Sequence, residues 1–350
     1  MYAPRSEMLA LAVGLVVFGD LVAGEIAAQS APVVYGVVKT AEGGVAMPYS
    51  VVAIPSLSRQ QFTNDVGDFS VRDLPVGPLT LRFRHIGFAP HDTAVVLHAG
   101  DTLHVDVALS RLAIRLDAMH VTAACARTQD AAASGALTEL FDQVRQNAEQ
   151  YRLLVRSHPF TRRMRVADVI RTDDGRVTMG TPEVIIFDSD VEQGYKPGNV
   201  FRRSELRGGA LVVALPELAD FADSLFIAKH CFSYGGDTTV DSIRLVRVVF
   251  APVTDLAEPD LRGVIMLRTD GYTIWAVDQV TTGVPRSVAS EITSVRAVTR
   301  FQDVLPGIAL IFNVESFLSP GPRRATAEPR VVSRGEVQTL DELKWKKGPP

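Results

Sequence analysis

The stretch "FTNDVGDFSVRDLPVGPLTLRFRHIGF", residues 62 to 88, carries three turn signals with strand patterns between them. Asn64-Asp65-Val66-Gly67 predicts a turn, because Asn and Asp side chains bond local backbone and Gly accepts positive φ. Leu74-Pro75-Val76-Gly77 predicts a second, and Gly87 a break. Between them Phe69 and Val71 share a face, and Leu79, Leu81 and Phe83 alternate with Thr80, Arg82 and Arg84. That is the period of half-buried strands. Flanking runs have the same character: Val33–Lys39, the turn at 42–44, Tyr49–Ile54 before Pro55, and the alternation Leu103, Val105, Val107, Leu109. Short strands punctuated this way predict an all-β sandwich or barrel over about 33–122.

The motifs in order resemble the carboxypeptidase regulatory-like domain. They are Gly36-Val37-Val38, Thr63 to Phe69, Leu74 to Gly77, Ile86 to Phe88, and Leu116 to Thr122. The resemblance implies a transthyretin-like (prealbumin-like) Greek-key β-sandwich of about seven strands over residues 32–122. Met47-Pro48-Tyr49-Ser50 departs from the family pattern before the second strand, which concerns packing rather than chemistry.

Residues 123–135 read as a small, polar linker. Leu137, Leu140, Phe141, Val144, Ala148, Tyr151 and Leu154 follow at helical spacing, the mark of an amphipathic helix packed on a sheet. A second helix is expected from Pro216 to Phe232, with Pro216 in its first turn. The remainder reads as antiparallel strands. Val264–Leu267 and Tyr272–Val277 form a hairpin, and Ser287–Phe301 and Ile308–Phe317 flank Leu305-Pro306-Gly307. The expected class is therefore mainly β: a sandwich, then an α+β domain with a curved antiparallel sheet and about two helices over 136–340. Residues 341–350 are expected to be a disordered basic tail. "HCFSYGGDTTVDSIRLVRVVFAP" followed by "LRGVIMLRTDGYTIWAVD" resembles uncharacterised bacterial envelope domains similar to the half-barrel of lipoprotein carriers. Such a curved sheet can hold an acyl chain in its concavity, for which Val264 to Val277 would supply apolar lining or, equally, an ordinary core.

Residues 1–30 read as an export signal: Arg5, an apolar run from Met8 to Phe18, then small residues at Ala27, Ala28, Ser30 and Ala31. An uncleaved anchor is the alternative, although the run is short for a membrane span. Export would place the protein in the periplasm, at the outer membrane or outside the cell. In such an oxidising compartment Cys125 and Cys231, the two cysteines of the chain, are a candidate disulfide; two unrelated buried thiols are the alternative.

A formal net charge of −4 gives no basic field for nucleic acid. Arg162-Arg163 and the run Lys344 to Lys347 read as solvated surface. The peptidase that the family name suggests needs two His and a carboxylate on zinc. None of the seven His (85, 91, 98, 104, 120, 158, 230) has Glu three residues on. His98, Asp101 and His104 read as surface groups around a turn, and Asn64, Asp65 and Asp68 lack the late Glu of a calcium loop. No Gly-x-Ser-x-Gly elbow, phosphate loop or dinucleotide fingerprint is present. His230-Cys231 reads as structural. These residues predict no catalytic group, no metal and no cofactor, and a non-catalytic binding or assembly module with an envelope protein or polysaccharide as partner. Carbohydrate binding by the sandwich is the second reading, with Trp345 as its possible ligand contact. A hydrolase in the second domain is the third.

Overall fold

The structure is a computed structural model; it describes residues 30–114, 131–191, 195–204, 210–253, 258–321 and 330–348. The signal-like start up to residue 29, the Leu116–Thr122 motif and Cys125 lie outside them.

The first eight strands are β1 (Val33–Thr40), β2 (Val51–Ile54), β3 (Arg59–Phe62), β4 (Asp68–Val71), β5 (Gly77–Arg84), β6 (His91–Leu97), β7 (Thr102–His104) and β8 (Val107–Leu109). They form two four-stranded sheets, one of β4, β1, β7 and β8 and one ordered β3-β2-β5-β6. The alternation expected of β4 and β5 holds: Phe69, Val71, Leu79, Leu81 and Phe83 are buried, while Thr80 and Arg82 are exposed. These side chains meet Val34, Val38, Val52 and Leu109 in one core between the sheets. The first turn closes as its chemistry requires. Gly67 sits at φ 81, and Asn64 Oδ1 accepts from the amides of Val66 and Asp68 at 3.1 and 2.8 Å. At Gly36, in mid β1, the Val105 amide donates to Tyr35 O and the Val105 carbonyl passes over the glycine.

The second domain opens with α1 (Ala131–Ser157), which begins inside the stretch expected to be linker. Then come β9 (Phe160–Thr172), β10 (Val177–Met179), β11 (Glu183–Asp188), the small hairpin β12 (Phe201–Ser204) and β13 (Ala210–Val213), and α2 (Ser224–Lys229). The chain continues through β14 (His230–Val240), β15 (Ile243–Pro252), β16 (Leu261–Arg268), β17 (Ile274–Thr281), β18 (Ile292–Leu305), β19 (Ile308–Pro320) and β20 (Val331–Trp345). A curved antiparallel sheet runs β10-β9-β20-β19-β18-β17-β16-β15-β14, with β11 also on β9. Leu140, Val144, Ala148, Tyr151 and Leu154 of α1 pack against this sheet. The hairpin expected at 264–277 and the turn at Gly307, φ 71, are present.

Three expectations change. The helix expected from Pro216 to Phe232 is a 3-10 turn at Leu218–Ala222 and the short α2. Asp223 starts α2 afresh by accepting from the amides of Leu225 and Phe226, and the chain is already extended at His230. The strand expected from Ser287 begins at Ile292, after a turn. Residues 341–345, expected in a disordered tail, continue β20 because Leu343 and Trp345 pack on the core and the backbone pairs with Phe160–Arg163.

The two domains share one core. Tyr49, Ile86 and Ile114 of the sandwich pack in the same cluster as α1, β15 and β16. Gly87 sits at φ 81 on that joint; its amide donates to the buried Gln143 side chain at 2.8 Å, and its α-carbon faces the Gly271 backbone. Asn147, also buried on α1, donates to Tyr272 O and accepts from the Ile274 amide, both at 2.9 Å.

His85 lies in the same joint, 3.1 Å from Ser50 Oγ through Nδ1 and edge-on to Phe88. Burial pushes its pKa from 6.5 down to about 4. The unfolded chain therefore protonates His85 first as pH falls. Its contribution to stability is complete above pH 6.5 and is lost as pH falls toward 4. The loss is about 1–3 kcal/mol, after a discount for the solvent the ring edge keeps. Urea unfolding at both ends of this window checks it: His85→Asn should lose less stability than wild type over the same interval. Equal losses would remove the joint from the acid response.

Candidate functional site

Two clusters of polar side chains could carry function, and they differ in access. The first lies under the sheet. Asp260, at the entrance to β16, accepts from the Tyr195 hydroxyl, the Leu261 amide and the Gly198 amide, each at 2.8 Å. His230 Nε2 stands 3.8 Å from Asp260 Oδ2, and the side chains of both are fully buried. His230 Nδ1 donates to Phe226 O at 3.0 Å, which leaves the neutral ring with its lone pair on Nε2, and the ring stacks on Phe226 at 4.1 Å. Burial pushes the His230 pKa down against the opposing pull of Asp260. Burial, then Asp260, holds the Tyr195 hydroxyl well above its ordinary range. Tyr, Asp and His in contact form an acid–base set in kind, but here Phe221, Phe226 and Phe250 cover it. A general base must come within hydrogen-bond reach of its substrate, and this one meets only protein. It pins the 195–198 segment to the start of β16.

The second cluster is open. Between the outer face of the sandwich and α1 runs a cleft of about 560 Å³. Arg82 and Arg84 of β5 form one wall, and Glu149, Arg152 and Arg156 of α1 the other. A smaller cleft of about 310 Å³ adjoins it, shares Gln60 and Arg156, and adds Arg59 and Gln61. Strand alternation sends Arg82 and Arg84 outward, and the four-residue spacing of Arg152 and Arg156 puts both on one helix face. Arg82 pairs with Asp92 at 2.7 Å. Arg84 Nη1 pairs with Glu149, but its Nε is buried without a hydrogen-bond partner among the described residues. Glu149 also lies 3.8 Å from Arg145. Arg152 reaches Asp223 at 3.8 Å. The guanidinium of Arg156 is exposed and pairs with no described residue.

The residues singled out in the sequence scatter. Cys231 is half-buried on β14, with Sγ 3.4 Å from Ala251 O; Cys125 lies outside the described residues. Trp345 is half-buried, edge-on to Phe160 at 5.5 Å, rather than free in a tail. Arg162, expected on the surface, is buried against Glu217 at 3.3 Å, and that contact opposes the burial that raises the Glu217 pKa. His98 bonds Asp101 within its turn, while His104 turns to Asp106. Among the described residues no three His, Cys, Asp or Glu side chains gather as a metal would need. The stretch from Val264 to Val277 supplies ordinary core, with Ile265, Leu267, Ile274 and Val277 packed in the same cluster as α1. No described helix is long and apolar enough to cross a membrane. Sequence reasoning missed Tyr195, Asp260 and the arginine cleft. Its one usable signal was the outward pair on β5 together with the Arg-x-x-x-Arg of α1.

Residues 33–110 match the family model of the carboxypeptidase regulatory-like domain, as the motif order implied. No curated protein matches the chain. Three solved structures illustrate what the chain is similar to. An outer membrane lipoprotein-sorting protein domain from Vibrio parahaemolyticus has a TM-score of 0.31 and 9% identity, over 60% of this chain and 95% of that one. A DUF1329 family protein from Desulfovibrio piger has a TM-score of 0.31 and 12% identity, over 61% and 95%. A LolA superfamily protein from Nitrosomonas europaea has a TM-score of 0.27 and 9% identity, over 59% and 94%.

Proposed function

We propose that this protein is an exported, non-catalytic binding module of the bacterial-type cell envelope, built from a regulatory-like sandwich locked onto a curved-sheet domain. The observation that carries the reading is the contrast between the two polar clusters. The acid–base set of Tyr195, Asp260 and His230 is sealed, whereas the open cleft presents guanidinium groups suited to holding an anion. The signal-like residues 1–30 support export. Crosslinking of the mature protein in intact envelopes tests the reading. A defined protein or polysaccharide partner is the expected result, and recovery of the protein in the cytoplasm with Met1 intact would overturn it.

Cys125 is the one intrachain partner available to Cys231, since the chain has two cysteines. A bridge over so long a loop constrains the unfolded chain, and its reduction is expected to cost about 2–5 kcal/mol. Urea midpoints with and without dithiothreitol check this. Unchanged midpoints, with both thiols alkylatable beforehand, would dismiss the bridge.

A further inference from the structure

We infer that the cleft between β5 and α1 binds a dianionic phosphoryl group, a free phosphate ester or the phosphate of a lipid headgroup, through Arg84, Arg152 and Arg156. This names the ligand class of the binding module proposed above and rests on that reading only for its biological setting.

The argument starts from charge. Six guanidinium groups (Arg59, Arg82, Arg84, Arg145, Arg152 and Arg156) line or border the two adjoining clefts. Four carboxyls, Asp92, Asp142, Glu149 and Asp223, are paired to them. The C-terminal end of α1 supplies about half a negative charge more. An excess of about one and a half positive charges remains around a space of about 560 Å³. Like charges four residues apart on a helix repel, and Arg152 and Arg156 also face Arg82 and Arg84 across the cleft. A bound dianion relieves both repulsions.

Hydrogen bonding points the same way. The Arg84 Nε–H is buried with no acceptor among the described residues, which is unfavourable while it stays unmet. The Arg156 donors and the Gln60 side chain carry no bond to the described residues. The unmet donors lie on both walls. A planar carboxylate presents two oxygens in one plane, whereas a tetrahedral phosphoryl group offers three and can accept from β5 and α1 together. The floor is made by Ala53 and Pro55, so the group carried by the phosphate can be uncharged.

Titration calorimetry on the purified mature protein at low salt tests the inference. Glucose 6-phosphate and inorganic phosphate should bind, and glucose should not. Arg156→Ala removes an exposed side chain without a described partner, so Tm should be unchanged while affinity for glucose 6-phosphate falls about tenfold or more. Arg262→Ala makes the same charge change at an exposed position of β16 outside the cleft and should bind as wild type does. Flotation with phosphatidylcholine vesicles, with and without phosphatidic acid, separates the two sources. Arg156-dependent capture on phosphatidic acid assigns the phosphate to a headgroup, and binding of the soluble esters alone assigns it to a free ester. The inference is overturned if neither probe binds, or if Arg156→Ala and Arg262→Ala weaken binding equally. Failure to crosslink a partner in envelopes would leave this result standing, and the converse also holds.

Discussion

Asp260→Ala is expected to lower the unfolding free energy by about 3–5 kcal/mol, among the largest effects of any single substitution here. The carboxyl is the common acceptor for the Tyr195 hydroxyl and for the amides of Gly198 and Leu261. Its loss strands the buried Tyr195 hydroxyl and Leu261 amide, at about 1–3 kcal/mol each before relaxation, and leaves the part-buried Gly198 amide to partial solvation. Tyr195→Phe deletes one donor and leaves the carboxyl with two amides, so its loss should be nearer 1–2 kcal/mol. Urea denaturation of both variants provides the comparison. If Asp260→Ala unfolds within about 1 kcal/mol of wild type, the cluster does not hold the 195–198 segment in the way described.

Gly36→Ala is expected to abolish closure of the sandwich, at a cost above about 4 kcal/mol. A Cβ at this position would stand 1.9 Å from the Val105 carbonyl oxygen and 2.6 Å from its carbon. Both are backbone atoms, so no rotamer change can make room, and separating them breaks the Val105 amide bond to Tyr35 O. Gly43→Ala provides the contrast. That glycine has φ 91 but nothing within 4 Å of a Cβ, so only the backbone preference of about 1 kcal/mol is at stake. Thermal unfolding followed by near-UV dichroism should separate the two. A Gly36→Ala protein as stable as Gly43→Ala would mean that β1 and the Val105 backbone can part freely.

What could be read in the sequence, and what could not, follows from whether a signal is local. The alternation of Leu79, Leu81 and Phe83 depends on β5 alone, and its burial is as expected. β3 (RQQF) and β6 (HDTAVVL) are edge strands of their sheet with few buried positions. They show no clean period, and the expected strand set omits them. Gln143 and Asn147 are polar residues placed by helical spacing on the apolar face of α1, three residues after Leu140 and Val144. They are buried because turns far away in sequence, at Gly87 and at Tyr272–Ile274, need side-chain partners. The arginine cleft was half legible. The outward direction of Arg82 and Arg84 is a strand property and the shared face of Arg152 and Arg156 a helix property. That the two faces meet is a matter of docking, which spacing does not encode.

The pairing of β9 with β20 sets an order of assembly. Residues 160–172 hydrogen-bond to residues 331–345, and β20 in turn pairs with β19. The last of the described strands is thus an interior one. As the chain emerges from the ribosome or an export channel, the sandwich strands are complete long before the large sheet can be. Until β20 arrives, β9 and β19 each present a bare ladder of amides and carbonyls, the condition under which strands recruit the wrong partner. So distant a pairing also closes slowly. A chain cut short of residue 331 therefore loses more than an end: it keeps two unsatisfied edges in mid-sheet, which makes a truncated product a substrate for proteases or a seed for aggregates rather than a smaller working protein.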